Sequence, residues 1–241
     1  MESMTKRLTI IILLLLFTSC GVFENSFMNN TDSFIENFNN IVQFKKNWSN
    51  NSWKSPALYQ LENDHLKIST RPNSNDRVKI RSKQKFTTGS YTWRIFVPKF
   101  KLHEQVSSGA FLYHNQKEEF EFDFEIGSGQ KADREKIDLK DDEAIVFCVS
   151  QFSPSKSSHF PVKMGEYANF KMELIDVNGF YFVKWFINEN LVKELQTEVK
   201  SNIKFKVHCS LENLFFMGDV PTSTENYVLF DSFSFKKTNN I

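Results

Sequence analysis

The sequence predicts an all-β protein folded as a sandwich of two antiparallel sheets, and three observations carry that prediction. Phe supplies 26 residues beside 6 Tyr and 4 Trp, whereas Gly and Pro contribute only 8 and 6, so the apolar content sits in side chains that favour strands. Segments with period-two alternation recur between polar or glycine-bearing turns. Long stretches with helical periodicity are nearly missing. Hydrophobic residues make up 40% of the 241 and charged residues 24%, a globular balance that excludes a disordered or multi-span chain. Lys and Arg total 30 against 29 for Asp and Glu, so no strong field draws the protein to nucleic acid or anionic lipid, and nucleic acid is not an expected partner.

The N-terminal residues read as an address. Lys6 and Arg7 precede an apolar run over residues 8–17, and Thr18, Ser19 and Cys20 follow, the order of an export signal occupying residues 1–19. A run of this length is too short for a bilayer span, which needs about 20 residues. Phe17-Thr18-Ser19-Cys20 resembles the lipobox of bacterial lipoproteins, with Phe17 where Leu is usual. That resemblance implies lipidation of Cys20, export, and anchoring to the bacterial cell envelope through the lipid alone. Residues 20–33 carry many Asn and Ser and read as the acylated cysteine with a flexible tether. One domain is expected over residues 34–241, without internal repeat or Pro-rich linker, and as a monomer.

Within that domain the alternating segments fall at residues 58–70, 77–85, 90–97, 109–114, 120–126 and 144–152. The series resumes at 169–176, 180–188, 191–197, 203–210 and 227–237. Asp176-Val177-Asn178-Gly179 carries the Asn-Gly signal of a tight hairpin, and Asn188-Glu189-Asn190 marks a second. Residues 127–143 and 153–165 read as loops. Cys148 and Cys209 both lie in strand-like segments, where they either pair in an oxidising compartment or stay as two buried thiols. Neither sits in a metal-binding cluster.

The chemistry concentrates in one strand. In Glu119-Phe120-Glu121-Phe122-Asp123-Phe124-Glu125-Ile126 the apolar residues share one face, while Glu119, Glu121, Asp123 and Glu125 share the other. Neighbours on one face stand about 6.6 Å apart, so four carboxylates in a row repel one another and should raise at least one pKa. Retaining glycosidases use such a pair, one carboxylate as nucleophile and a protonated partner as acid then base. Glu121 and Glu125 supply the two ends, with the shorter Asp123 between them.

Glu121-Phe122-Asp123-Phe124-Glu125 resembles the ExDxE signature of glycoside hydrolase family 16, the β-glucanases and transglycosylases built on a concanavalin A-like jelly roll. The segment RVKIRSKQKFTTGSYTWRIFVP at residues 77–98 is similar to the family's Ser-Lys strand, Tyr-Gly turn and Arg-containing strand. Residues 167–193, with Lys184-Trp185-Phe186, resemble its paired strands. The resemblance implies cleavage or transfer of β-linked glucan or a related polysaccharide with retention. Glu121 would attack the anomeric carbon, Asp123 would tune it, and Glu125 would protonate the leaving oxygen. It also implies Arg94 as a sugar contact, although Thr92 stands where many members carry Glu. Glu119 occupies the position of a frequent sugar-stacking Trp, and Gln151 lies near that of a common His. Trp53 and Tyr113 are further candidates to line the cleft, and Tyr113 is followed by His114. Trp48, Trp93 and Trp185 are the other possible sugar platforms, with Trp93 and Trp185 on faces that look like core. No organic cofactor is required. Asp231 is the residue the resemblance offers to a structural calcium. The competing reading is a non-catalytic module that binds polysaccharide on the same sandwich. Nucleophilic serine chemistry is set aside for want of a GxSxG motif, and no phosphate-cradling glycine motif occurs.

Overall fold

The computed structural model describes residues 32–238 except 55, 117–118 and 153. The export signal, Cys20 and most of the tether lie outside the described residues. Fifteen strands follow in chain order: β1 (Ser33–Glu36), β2 (Trp48–Asn50), β3 (Tyr59–Glu62), β4 (His65–Thr70), β5 (Arg77–Ser82), β6 (Gly89–Val97), β7 (Ser107–Asn115) and β8 (Glu119–Gly127). They continue with β9 (Glu143–Gln151), β10 (Lys156–Lys163), β11 (Glu166–Val177), β12 (Phe180–Ile187), β13 (Asn190–Lys200), β14 (Lys206–Glu212) and β15 (Asn226–Lys236). Two short helices intervene, α1 (Ile41–Asn47) before β2 and α2 (Lys131–Lys136) before β9.

The strands form two sheets. One runs β13-β12-β11-β6-β15-β4-β3, with β1 continuing the line of β4 along the second half of β15; the other runs β10-β9-β8-β7-β14-β5-β2. Strand pairing is antiparallel throughout these orders. The predicted two-sheet sandwich is therefore what the chain forms.

Alternation decides what lies between the sheets. Tyr91, Trp93, Ile95 and Val97 of β6 point inward, as do Phe120, Phe122, Phe124 and Ile126 of β8 and Val207, Cys209 and Leu211 of β14. Burying a large apolar side chain contributes about 1.5–3 kcal/mol, so the Phe-rich strands supply the drive for the two sheets to close on each other. Trp185 crosses the core from β12, packs edge-on against Phe122 and donates from Nε1 to the backbone oxygen of Asp123 at 3.2 Å. That contact pins the middle of β8.

Turn chemistry sets the register of the first sheet. Asn178 and Gly179 have φ of 54° and 84°, and Asn188 and Glu189 have 48° and 66°, the left-handed pairs that close a hairpin tightly. Residues 58–70 read as one strand but form a hairpin, because Asn63 and Asp64, at φ 49° and 60°, turn the chain between β3 and β4.

Both predicted loops hold structure. Residues 127–143 contain α2, six residues too few to show a helical period, anchored by the buried Arg134 guanidinium donating to the carbonyls of Ser128, Lys140 and Glu143. Residues 153–165 contain β10, an edge strand on β9 in which Pro161 is tolerated because edges need not donate on their outer side. Cys148 and Cys209 are free and buried, on strands separated by β8 and β7.

Candidate active site

Position in the sheet makes β8 the centre of the site. It lies between β9 and β7, so its polar face is walled on both sides, and its inward phenylalanines hold it in the core. A cleft of about 710 Å³ lies over the outer face of this sheet, and Glu119, Glu121, Asp123 and Glu125 all line it. Its floor includes Phe111 and His208, stacked with ring centroids 4.5 Å apart and planes 15° apart. Trp53 stands at one flank and Phe147 and Phe216 at the other. The strand order separates these flanks, with β5 two strands beyond β7 and β9 on the opposite side of β8.

Each acid has a different setting. Asp123 is wholly buried; Gln151, on the neighbouring strand, donates from Nε2 to its Oδ2 at 3.0 Å, and its remaining hydrogen-bonding neighbour is the Glu121 carboxyl, a bond that needs a proton on one of the two. Glu125 accepts from the Ser107 hydroxyl. Across the pairing from Glu125 stands Gly109, where a Cβ would lie 3.3 Å from Glu125 Oε1 and 2.5 Å from Ser210 Oγ. A side chain at 109 would crowd the carboxyl. Glu119, at the open end, accepts from the Tyr113 hydroxyl. Glu212 of β14 joins the cleft, with Lys79 Nζ at 3.3 Å and Arg77 Nε at 3.9 Å.

Burial drives the titration of the row. It raises the Glu121 carboxyl to about 7, with the Asp123 hydrogen bond acting in the opposite sense and the Glu212 charge adding to the rise. It raises Glu125 to about 8, and the charges of Glu212 and Glu121 push in the same direction against the Ser107 hydrogen bond and Lys79. Asp123 lies well above the usual carboxylate range, first from burial and then from the charges of Glu121 and Glu125. All three carboxyls are thus held above the ordinary carboxylate range by desolvation and by one another's charge, so that near neutral pH the row shares protons instead of ionising fully.

Seven of the predicted residues meet here: Glu119, Glu121, Asp123, Glu125, Tyr113, Gln151 and Trp53. Trp53 is 67% exposed, and the Arg77 guanidinium lies 4.3 Å from its ring centroid. Arg94 does not join them. Trp93 points into the core from β6, so Arg94 emerges on the outer side of the other sheet, where it pairs with Asp231 at 3.2 Å and lies 4.7 Å over the Tyr167 ring. Asp231 does not suit calcium either. Its carboxylate faces Arg94 and, at 3.5 Å, the His65 ring, cationic and imidazole neighbours rather than the oxygen cage calcium needs. Among the described residues no group of three or more His, Cys, Asp or Glu is placed to hold a metal. Trp48, Trp93 and Trp185 are core residues, and His114 is buried beneath the face with Nδ1 2.9 Å from the Lys204 carbonyl.

Sequence reasoning missed Lys79, Ser107, His208, Glu212 and Phe216. Alternation in β5 and β14 puts Lys79, His208 and Glu212 on one face, but only the pairing of β7 with β14 and β14 with β5 brings that face to β8.

No protein-family model matches the chain, and no curated protein matches it. Solved structures do. The chain is similar to Bacillus licheniformis β-glucanase at 16% identity, covering 86% of this chain and 98% of that one with a TM-score of 0.59. It is similar to laminarinase from Flavobacterium sp. UMI-01 at 13% identity over 85% and 99%, TM-score 0.62. A glycoside hydrolase family 16 endo-glucanase from Bacteroides ovatus gives 12% identity over 84% and 99%, TM-score 0.58. At these identities the likeness is one of fold: an all-β sandwich of the family 16 jelly-roll type.

Proposed function

We propose that the protein is a retaining, endo-acting glycoside hydrolase or transglycosylase that acts on β-linked glucan or a related polysaccharide. The observation that carries the reading is the row of carboxyls in one open cleft: Glu121 and Glu125 stand at either side of the buried Asp123 on one face of β8, and desolvation raises the pKa of all three. Structures similar in fold are named as a β-glucanase, a laminarinase and an endo-glucanase, which supports the substrate class.

The reaction is a double displacement. The Glu121 carboxylate attacks the anomeric carbon as the glycosidic bond breaks, and Glu125 gives its proton to the departing oxygen, leaving a glycosyl ester on Glu121 and an ionised Glu125. Glu125 then takes a proton from water, or from a sugar hydroxyl in transfer, as that oxygen attacks the same carbon and frees Glu121. Asp123, protonated and held by Gln151, donates to the Glu121 nucleophile and sets its charge. The exposed Trp53 ring offers a platform for the apolar face of a sugar. None of these steps needs an organic cofactor. Residues 1–19 as export signal and Cys20 as lipid anchor would place the domain on the cell envelope; a Cys20→Ser chain that still incorporates a palmitate analogue would refute that placement.

The activity is tested by counting reducing ends released from barley glucan, laminarin, lichenan and agarose by the purified protein and by Glu121→Gln. Release that falls about 10³-fold or more in the variant is expected. Binding without release by either protein would leave a non-catalytic module.

A further inference from the structure

We propose that the β14–β5 side of the cleft binds an anionic substituent of the polysaccharide, so that the preferred substrate is an acidic glycan carrying sulfate or carboxylate groups rather than a neutral glucan. The inference refines the substrate of the glycosidase reading and rests on it. It starts from the strand register. Across from Asp123 the same face runs through Phe111 and His208 to Arg81, and Lys206 stands two residues before His208 on β14. Lys79 stands two residues before Arg81 on β5, so three cations surround one imidazole.

Two of the three are uncommitted. Lys79, like Arg77, is already engaged by Glu212. Arg81 and Lys206 stand just beyond the cleft lining, paired across the strands with His208 and Tyr113, which do line it; they form no ion pair among the described residues, and Arg81 Nε is buried without a hydrogen-bond partner. Burial, then Arg81 and Lys85, hold the Lys206 ammonium below its ordinary range, and among the described residues no carboxylate lies within ion-pair distance of it. Glu121 is the nearest acid of the catalytic row in register, and Tyr113 stands between it and Lys206.

His208 points to a ligand independently. It is 1% exposed, lines the cleft, and neither ring nitrogen has a partner. Buried polar groups are normally satisfied, so an orphaned imidazole in the wall of an open cleft marks a place where something else completes the bonding. Burial and the neighbouring Lys79, Arg81 and Lys206 keep the ring neutral, which leaves it one donor and one acceptor. A sugar hydroxyl could meet one of the two ring nitrogens, and a sulfate or carboxylate on the same or the next ring would satisfy Arg81 and Lys206 beside it. Two strand spacings separate β8 from β14, about 10 Å, which sets the charged group roughly two sugar rings from the bond to be cleaved.

Binding is measured calorimetrically on the Glu121→Gln protein, so that the answer does not depend on cleavage. The probes are laminarin and barley glucan, each compared with its chemically sulfated form and with its form oxidised to the uronate, together with carrageenan; the two modified forms tell sulfate from carboxylate. At low salt at least one anionic polymer should bind roughly 10-fold more tightly than its neutral parent, the worth of two charge pairs. That preference should shrink as salt is raised and disappear in Arg81→Gln/Lys206→Gln, with binding of the neutral parent unchanged. Equal or tighter binding of the neutral forms, no binding of any anionic polymer, or a preference that survives both high salt and the double substitution would overturn the proposal. Should the double variant fold poorly, the salt dependence of the parent decides alone. Anion preference without cleavage by the unsubstituted protein would sink the glycosidase reading and leave this one standing; cleavage of neutral glucan without anion preference would do the reverse.

Discussion

The outer faces of the two sheets are written in the same alternating pattern, yet they treat their charges in opposite ways. On the first sheet, Lys171 of β11 lies 3.3 Å from both Glu173 and Glu189, Lys67 lies 3.4 Å from Glu62, and Arg94 lies 3.2 Å from Asp231. These groups are solvated and compensated, which is the ordinary fate of polar residues on a strand. On the second sheet, Asp123 is buried between half-buried Glu121 and Glu125, both nitrogens of His208 lack partners, and desolvation lifts the pKa of Glu121, Asp123 and Glu125. A row of charges therefore marks a site when solvent and counter-charge are both withheld, and marks only a surface when they are supplied.

The largest effect that could break this contrast is on catalysis. Glu125→Gln should lower the rate on unactivated polysaccharide by about 10³-fold or more, as Glu121→Gln does, while leaving the fold intact by circular dichroism. A near-normal rate would reduce the acidic row to a surface feature. Next comes the pH profile of kcat/KM. The proposed reaction requires Glu121 ionised and Glu125 protonated, so activity should rise through about pH 7 and fall through about pH 8. In Asp231→Asn the profile should not move, because that carboxylate sits on the other sheet.

Stability sharpens the same point. The folded protein holds the Glu125 proton to about pH 8, whereas an unfolded glutamate releases it near 4.5, so between those values the native state binds more protons and stability falls as pH rises. Glu125→Gln removes that fall. It should melt higher than the parent above pH 8 by on the order of 1–2 kcal/mol, the open cleft moderating the gain, and match it below pH 4.5. Smaller again is the proposed platform: Trp53→Ala should raise KM several-fold with little change in kcat, since its ring lines the cleft at a flank away from the carboxyls of β8. The smallest effect belongs to the first sheet, where Arg94→Gln should change stability by no more than about 0.5 kcal/mol and leave activity unaltered.

The acidic row was legible because period two is local: alternation alone sends Phe122 inward and Glu121 outward, and a sandwich is the architecture that buries one such face. Arg94 was misplaced for the complementary reason. Alternation puts it on the opposite side of its strand from Trp93, but it does not say which sheet owns the strand, and β6 pairs with β11 and β15 rather than with β7. The same limit hid Lys79, His208 and Glu212, polar residues on strands whose neighbours are settled only by long-range pairing. The edge strand β10 escaped notice because Pro161 and a serine-rich start disguise it, and α2 because six residues hold less than two helical turns.

The sequence by itself determined the strand-rich fold, the tight hairpins at Asn178-Gly179 and Asn188-Glu189, and the shared face of Glu119, Glu121, Asp123 and Glu125, since each follows from side-chain type and nearest-neighbour geometry. Only the tertiary structure decided that this face lines a cleft that buries Asp123 and half-buries Glu121 and Glu125, while that of Arg94 and Asp231 is open and paired. Desolvation depends on which strands stand beside one another, and that order is set by contacts between residues far apart in the chain.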